Sequence, residues 1–414
     1  MKILFFCHYF PPEVNAPASR THEHAKRWVR SGHEVTVVTS HPNAPSGRLF
    51  AGYHNRLFET EFMDGIKVVR VWTFLAANAG SIRRILNYLS FMVSGAIAGL
   101  FLSRPSIVIA TSPQFFCGWA GVIVSRLRKL RFVLEVRDIW PDSIAAVGAI
   151  SSPLTIRFLS LLEQLLYRAA NHIVTVGESY KRELEKRSVP SEKITVIPNS
   201  ADLERFDLVD DQSREVPTGQ TQCVYVGTIG MASRLDLILE AAEFFKRAGD
   251  RPVQFSIIGD GADRLRLTAE AKKRGLDNIE FPGLIPKAEI PATLRRASVC
   301  LVHLRKDPLF ETVIPSKLFE AMAAKRPIIL GVGGSAASLV EKAKCGVVIE
   351  PENSGQLIEA LKQISGSSSK LQRWGENGRR FVEQGYSRDL WAKNYLACLQ
   401  GLGSHTPSGE NAAS

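Results

Sequence analysis

The residues Pro315-Ser316-Lys317-Leu318-Phe319-Glu320-Ala321-Met322-Ala323-Ala324-Lys325-Arg326-Pro327, followed by Ile328-Ile329-Leu330-Gly331, read as a short helix running straight into a buried strand. Pro315 and Ser316 are start signals, and Arg326-Pro327 is a stop. The free N–H groups of a first helical turn attract anions, and Lys317 adds a full positive charge there. Glu320 lies three residues on and shares a helix face with Lys317. A cation and a carboxylate side by side at a helix N-terminus suit a ligand with a diphosphate and ribose hydroxyls, a nucleotide-sugar. A solvated Lys–Glu pair on a surface helix fits these residues equally well, so the surrounding chain has to decide.

At 414 residues the chain has room for two domains and two cores. Its hydrophobic content of 45% and charged content of 22% are those of a globular protein rather than a disordered one. The net charge of +11 is lopsided. Residues 1–200 carry 24 Lys/Arg against 14 Asp/Glu, a net of +10, whereas residues 201–414 carry 28 against 27, a net of +1. A basic first half fits anionic lipid headgroups, a phosphorylated acceptor or nucleic acid. The six cysteines (Cys7, Cys117, Cys223, Cys300, Cys345, Cys398) show neither paired nor metal-type spacing, as expected of buried thiols in a reducing cytosol. The opening run meets Pro11-Pro12 before any cleavage site could form, so no signal peptide is expected and the protein is placed in the cytoplasm.

From the first residues the pattern is strand (Lys2 to Tyr9), loop (Pro11 to Ala18), helix (Ser19 to Arg30), Gly32, strand (His33 to Thr39). That βαβ unit sets a parallel, doubly wound sheet. Its glycine-poor first loop is not the dinucleotide fingerprint, which argues against a dehydrogenase. Ligands sit at the carboxyl ends of such strands, so Glu13, Asn15 and Arg20 are expected to line a cleft. Further strands are expected around Ile66–Val71, Ile107–Ala110, Phe132–Val136 and His172–Val176. The strand ending in Glu135-Val136-Arg137-Asp138-Ile139-Trp140-Pro141-Asp142-Ser143 gathers charges where catalytic groups collect, although a satisfied loop ion pair would look the same.

Within Ile82 to Leu102 the sixteen residues from Asn87 to Leu102 pass without a charge, bracketed by Arg83-Arg84 and Arg104. A spanning helix needs about 20 apolar residues, so this serine- and glycine-containing stretch fits an in-plane or shallowly inserted helix better. A second basic cluster, Arg126, Arg128, Lys129 and Arg131, follows the apolar run from Trp119 to Val124. Helices packing on their own sheet are the alternative for both.

Ile194 to Asp202 is a strand ending in Pro198-Asn199, with a polar stretch from Asp207 to Gln222, and reads as the hinge between domains. The expected organisation is an N-terminal domain over 1–200 with a membrane-associating segment at 82–104, a C-terminal domain over 201–385, a helix over 386–402 and a disordered tail over 403–414. The second domain repeats strand, glycine loop and helix. Gly227 and Gly230 follow one strand, and Gly259 and Gly261 follow the next, where they let backbone approach a bulky phosphate.

These pieces together resemble glycosyltransferase family 4, over nearly the whole chain from Lys2 to about Leu399. The resemblance rests on Pro11-Pro12-Glu13 with Arg20, Gly32 to Val37, Pro198 to Asp202, Gly227, Ile258-Gly259-Asp260-Gly261, Phe281-Pro282-Gly283 and Pro315 to Pro327. The Arg137 to Asp142 run is similar to the bacterial branch that builds surface polysaccharides, which includes N-acetylfucosaminyl-type transferases. The resemblance implies an α/β fold of two Rossmann-like doubly wound parallel-sheet domains facing a central cleft (GT-B). It implies a nucleotide-sugar donor, a UDP-sugar in the first place, held mainly by the C-terminal domain. Glu320 would take the ribose hydroxyls. The Ser316-Lys317 helix start and the Gly227-Thr228 loop would hold the diphosphate, and the Phe281–Ile285 loop would pass the base.

Three departures from the family pattern stand out. Two glutamates eight apart are usual, but Thr312 stands eight before Glu320, with Glu311 one residue further back as a stand-in at the sugar. The usual Arg and Lys after the first C-domain glycine are Thr228 and Ser233, leaving Arg234, Arg305 and Lys317 to neutralise the diphosphate. A histidine near the sugar is replaced by Arg137 beside Asp138.

The implied reaction is sugar transfer with retention of anomeric configuration, needing no cofactor beyond the donor and no divalent metal. Cations and N–H groups would stabilise the leaving diphosphate, and domain closure would exclude water. Asp138 and Glu13 are candidates for acceptor-side or base roles. The implied acceptor is a glycan on undecaprenyl diphosphate at the inner face of the cytoplasmic membrane, where the basic half and Ile82–Leu102 would attach the protein peripherally. A transferase with a soluble acceptor, a nucleotide-sugar epimerase of the same architecture and a non-catalytic nucleotide-sugar-binding scaffold are the rivals. Nucleic acid is not expected as a partner, because the basic residues alternate with apolar runs and no recognised nucleic-acid motif appears.

Overall fold

Alternating short apolar runs and amphipathic helices build two α/β units, seen in a computed structural model. It describes all residues except 77–80, 113–114, 143–151, 209–219, 250–252, 365–367 and 405–414. The first unit takes in Met1–Pro141, Ile150–Ile197 and Asp389–Ser414, and the second Asp142–Ala149 and Pro198–Arg388. Ser143, most of the polar 207–222 stretch and the tail from 405 onward lie outside the described residues.

The first unit runs β1 (Lys2–Phe6), α1 (Ala16–Arg30), β2 (Glu34–Ser40), β3 (Phe58–Met63), β4 (Ile66–Val71), α2 (Ser81–Phe101), β5 (Ile107–Thr111) and α3 (Phe115–Arg128). It continues with β6 (Arg131–Val136), α4 (Pro153–Ala169), β7 (His172–Thr175), α5 (Glu178–Lys186) and β8 (Ile194–Val196). The sheet order is β3-β4-β2-β1-β5-β6-β7-β8. All pairs are parallel except β3 with β4. In β5 every residue is buried, as a strand covered on both faces requires. The antiparallel edge strand β3 is missing from the sequence reading. Its Phe-Glu-Thr-Glu-Phe-Met alternation is half exposed, and only Asp64-Gly65, both at positive φ, announces the hairpin.

Right-handed crossovers put α2, α3 and α4 on one face of this sheet, because β4→β5→β6→β7 steps one way, and α1 on the other, because β1→β2 steps back. Two glycines let α2 lie close along its face. A Cβ on Gly99 would fall 2.6 Å from Phe6 and 2.9 Å from Val124, and one on Gly95 would touch Val38 and Phe6.

The second unit runs α6 (Leu203–Asp207), β9 (Thr221–Val226), α7 (Asp236–Ala248), β10 (Val253–Ile258), α8 (Arg264–Lys273), β11 (Ile279–Gly283) and α9 (Ile290–Arg296). It then forms β12 (Val299–His303), α10 (Ser316–Ala323), β13 (Ile328–Gly331), α11 (Gly334–Ala343), β14 (Gly346–Val348), α12 (Ser354–Ile364) and α13 (Ser368–Gly385). Its all-parallel order β11-β10-β9-β12-β13-β14 reverses between β9 and β12. All of β12 and β13 is buried, and each large apolar side chain there adds about 1.5–3 kcal/mol on burial.

The last helix, α14 (Arg388–Ser404), belongs mostly to the first unit. Tyr395 meets Trp28 edge-on at 5.2 Å, and the Trp28 Nε1–H donates to the carbonyl of Ala392 at 3.0 Å. Gly403 and Ser404, read as part of the tail, close this helix.

Candidate functional site

In an open α/β sheet ligands gather at the carboxyl ends of the strands where the order reverses. In the second unit that point carries the loop after β9, Gly227 to Arg234, and the side chains at the start of α10. In α10 Leu318, Phe319, Ala321, Met322 and Ala323 are buried, which leaves Ser316, Lys317 and Glu320 together on the half-exposed face. Pro315 caps the helix in extended conformation and makes no side-chain cap bond to its first amides.

Lys317 is held firmly. Its ammonium donates to the Tyr225 hydroxyl at 2.6 Å and lies 4.0 Å from that ring's centre. The same hydroxyl bonds the Thr228 carbonyl at 2.8 Å and Ser233 Oγ at 3.0 Å, and Ser233 donates to Thr228 O at 2.7 Å. Gly227, at φ +150°, is needed here because a Cβ would sit 2.8 Å from Lys317 Nζ. Gly227, Thr228, Ser233, Ser316 and Lys317 therefore converge.

Gly259 and Gly261 have a packing reason beside the expected one. A Cβ on Gly259 would lie 1.9 Å from Gly227 O, and one on Gly261 2.3 Å from Ile229 O. What they make room for is the neighbouring loop, which bonds to theirs through Gly227 N–H to Ile258 O and Ile229 N–H to Asp260 O, both at 2.9 Å. They shape the Gly227 loop.

Arg234, at the end of that loop, pairs with Glu352 at 3.5 Å. Arg305 has a buried Nε without a hydrogen-bond partner among the described residues. Glu311 is exposed over the turn after β13, where a Cβ on Gly333 would lie 3.6 Å from its Oε1. Thr312 donates to the Leu309 carbonyl at 2.6 Å and shapes that short turn.

Two supports of this site went unread in the sequence. Tyr225 looks like one more apolar strand residue, yet it fixes Lys317. His303, at the end of β12, is wholly buried. Its Nδ1 bonds Ser233 O at 2.7 Å and its Nε2 accepts from the Glu352 amide at 2.8 Å. Burial holds its pKa below the ordinary histidine value, so the ring is neutral and ties the Gly227 loop to the turn after β14.

The first-unit candidates must be taken separately. Glu13 is buried, and its carboxylate accepts from the amides of Phe10 (3.3 Å), Asn43 (2.9 Å) and Ala44 (2.8 Å). Burial pushes its pKa up to about 7 against the pull of those amides and of Arg70. Asn15 caps α1 by accepting from Ala18 N–H at 2.9 Å. Arg20, expected to line a cleft, instead forms a buried ion pair with Glu135 at 2.8 Å and donates to Ile197 O at 2.7 Å. A guanidinium in the interior needs such partners more than a ligand does. Arg137 and Asp138 are half-buried just beyond β6, where the Arg137 amide donates to Ser112 Oγ at 2.7 Å. Asp138 borders a small cavity of about 20 Å³ with Phe115, Trp140, Glu163 and Tyr167. Among the described residues no cluster of three or more His, Cys, Asp or Glu could hold a metal ion.

Beside this strand-end region lies His8, just after β1 and packed edge-on against Tyr9, Tyr88 and Phe91. Burial lowers its pKa to about 3, with Asn87 offsetting only part. Its folded-state pKa is below the unfolded value, so the neutral ring's stability is complete above pH 6.5 and is lost as pH falls toward 3. At pH 5 the cost is about 2 kcal/mol. The His8→Phe variant is therefore expected to lose less stability than the parent between pH 7 and pH 5. Urea unfolding at the two pH values measures it, and equal losses would contradict it.

Comparison with known proteins agrees with this geometry. Residues 15–200 match the Glycosyl transferase 4-like domain, and residues 208–381 match Glycosyl transferases group 1. The putative colanic acid biosynthesis glycosyl transferase WcaI of Escherichia coli K12 is 26% identical over 97% of this chain and 100% of its own length. Sucrose-phosphate synthase from Thermosynechococcus elongatus superposes with a TM-score of 0.75 at 15% identity, covering 98% of this chain and 100% of that one. HepE of Anabaena, solved in complex with UDP-glucose, gives 0.70 at 14% identity over 97% and 100%. The structural likenesses show the GT-B fold. With a 4-like domain in front and a group 1 domain behind, the chain is a glycosyltransferase.

Proposed function

We propose that this glycosyltransferase moves a sugar from a nucleoside-diphosphate-sugar, with UDP as the nucleotide, onto a lipid-diphosphate-linked glycan in bacterial surface polysaccharide assembly. Transfer proceeds with retention of anomeric configuration and without a metal, at the inner face of the cytoplasmic membrane. The observation that carries this reading is the Lys317 ammonium, clamped by Tyr225 over Gly227 at the strand-order reversal. A fixed cation there suits the charge that grows on a departing diphosphate. The start of α10 adds backbone amides, and Arg305 is the nearest further cation in sequence to the end of β12. Glu320, on the same face, takes the ribose hydroxyls, and Glu311 lies toward the sugar. Arg137, Asp138 and Glu13 belong to the acceptor side. HepE's complex with UDP-glucose and the colanic acid assignment of WcaI support the choice of donor and of pathway class.

A thermal-shift screen against UDP-, GDP- and dTDP-sugars tests the donor. At 100 times its dissociation constant a bound donor adds about 2.7 kcal/mol. The Glu320→Ala protein should stay folded and lose most of the shift. An unchanged shift would remove Glu320 from the ribose.

A further inference from the structure

Two exposed apolar stripes lie on the α2–α3–α4 face of the first unit. On α2 the stripe is Leu86, Val93, Ile97 and Phe101, spaced 7, 4 and 4, with Phe101 87% exposed. On α4 it is Leu154, Phe158, Leu161 and Leu165, spaced 4, 3 and 4, with Leu154 81% exposed. Both spacings follow one side of a helix. The opposite side of α2 is taken up by the sheet through Gly95 and Gly99, and that of α4 buries Glu163, Leu166 and Tyr167. Helix α3 packs between the two and exposes Leu127 near its end.

The exposed charge on these three helices has one sign. From Gly65 to Leu134, seventy residues, the chain has no Asp or Glu and nine Lys or Arg (67, 70, 83, 84, 104, 126, 128, 129, 131). The single acid of α4, Glu163, is buried and bound to Arg187 at 2.6 Å and to Tyr167 at 2.5 Å. Exposed cations flank the stripes: Arg83 and Arg104 at the ends of α2, Arg126 and Lys129 at the end of α3, Arg157 and Arg168 on α4. Exposed apolar stripes framed by cations, on helices that themselves expose no acid, match an anionic bilayer, which takes up the side chains and attracts the arginines.

We infer that α2 and α4 together form a docking surface for an anionic lipid bilayer, both helices lying in the membrane plane with their stripes inserted. This rests on and deepens the membrane attachment proposed above by adding α4 and by naming the headgroup charge. By length and hydropathy residues 83–101 could cross a bilayer. Packed along the sheet, however, α2 offers lipid only one side.

Vesicle flotation of the full chain tests the surface, using phosphatidylglycerol/phosphatidylethanolamine vesicles and pure phosphatidylcholine vesicles. Binding to the anionic vesicles is expected, at least tenfold stronger than to the neutral ones and weakened by 0.5 M salt. The pairs Val93→Glu/Ile97→Glu on α2 and Phe158→Glu/Leu161→Glu on α4 should each lower binding at least tenfold. All four sites are exposed, so unchanged circular dichroism and melting should accompany the loss. Wild-type binding by the α4 pair, equal binding to both vesicle types, or a dimer that the α4 pair converts to monomer would each overturn the inference. The donor thermal shift separates the two proposals: retained without vesicle binding, it leaves the transferase reading standing and this one fallen. Lost with vesicle binding retained, it does the reverse.

Discussion

Replacing Lys317 with alanine is expected to slow sugar transfer by about 10²–10³-fold, equivalent to about 2.7–4 kcal/mol of lost transition-state stabilisation. The size follows from how the ammonium is held. Tyr225 fixes it from the hydroxyl at 2.6 Å and from the ring face, and Gly227 leaves no side chain between it and the loop. Such a group costs little to reorganise when negative charge builds on the leaving diphosphate. Because that charge is larger in the transition state than in the bound donor, kcat should fall more than KM rises. Lys317→Arg should not restore the rate, since a planar guanidinium does not fit the space beside Gly227. Lys317 is half-exposed, so folding should survive, and melting curves of the variant check that. Steady-state rates with a UDP-sugar and a membrane lipid fraction decide the matter. A kcat within threefold of the parent would take Lys317 out of the chemistry.

The Arg20→Ala variant should be destabilised by about 3–5 kcal/mol, a large part of the 5–15 kcal/mol a domain usually has. Arg20 and Glu135 have 2% and 1% of their side-chain surface exposed, and their atoms meet at 2.8 Å. Burial alone would raise the Glu135 carboxyl. The charges of Arg20 and Arg137 outweigh it and hold the pKa below the ordinary value. In the parent, then, this carboxylate adds stability above its unfolded pKa that is lost as pH falls through the folded one. Without Arg20 burial has less to oppose it, the folded pKa rises, and the sign turns. The variant should then gain stability, relative to the parent, as pH drops from 7 to 5. Urea unfolding at both values measures size and sign together. The double variant Arg20→Leu/Glu135→Leu should recover much of the loss, because neither member of the pair is then left alone inside. A loss under 1 kcal/mol for Arg20→Ala would mean that the pair does not hold this part of the first unit together.

Much of the α10–β13 stretch was legible because its signals are local. A proline and serine start the helix, a proline stops it, and the apolar run that follows is too short for anything but a buried strand. The glycines after β9 and β10 were legible as glycines, but their packing role was not. Gly259 yields to the Gly227 carbonyl, a contact between segments 32 positions apart that no local pattern announces. Tyr225 and His303 were hidden for the same reason. Each sits near the end of a buried strand, and the partners that give it a role, Lys317 for Tyr225 and Ser233 for His303, lie 92 and 70 positions away. Arg20 shows the reverse case. Near a strand-end loop it read as a cleft residue, until β6 brought Glu135, 115 positions away, against it.

From the sequence alone came the two parallel α/β units, the basic first half and the face of α10 that carries Ser316, Lys317 and Glu320. These depend on backbone signals and periodicities within a few residues, which act before any tertiary contact forms. Only the tertiary structure decided that α14 returns to the first unit, that α4 shares a surface with α2, and that Tyr225 and His303 support the Gly227 loop. Those placements depend on strand order and crossover direction, which bring side chains together across tens to hundreds of positions and leave no local trace in the chain.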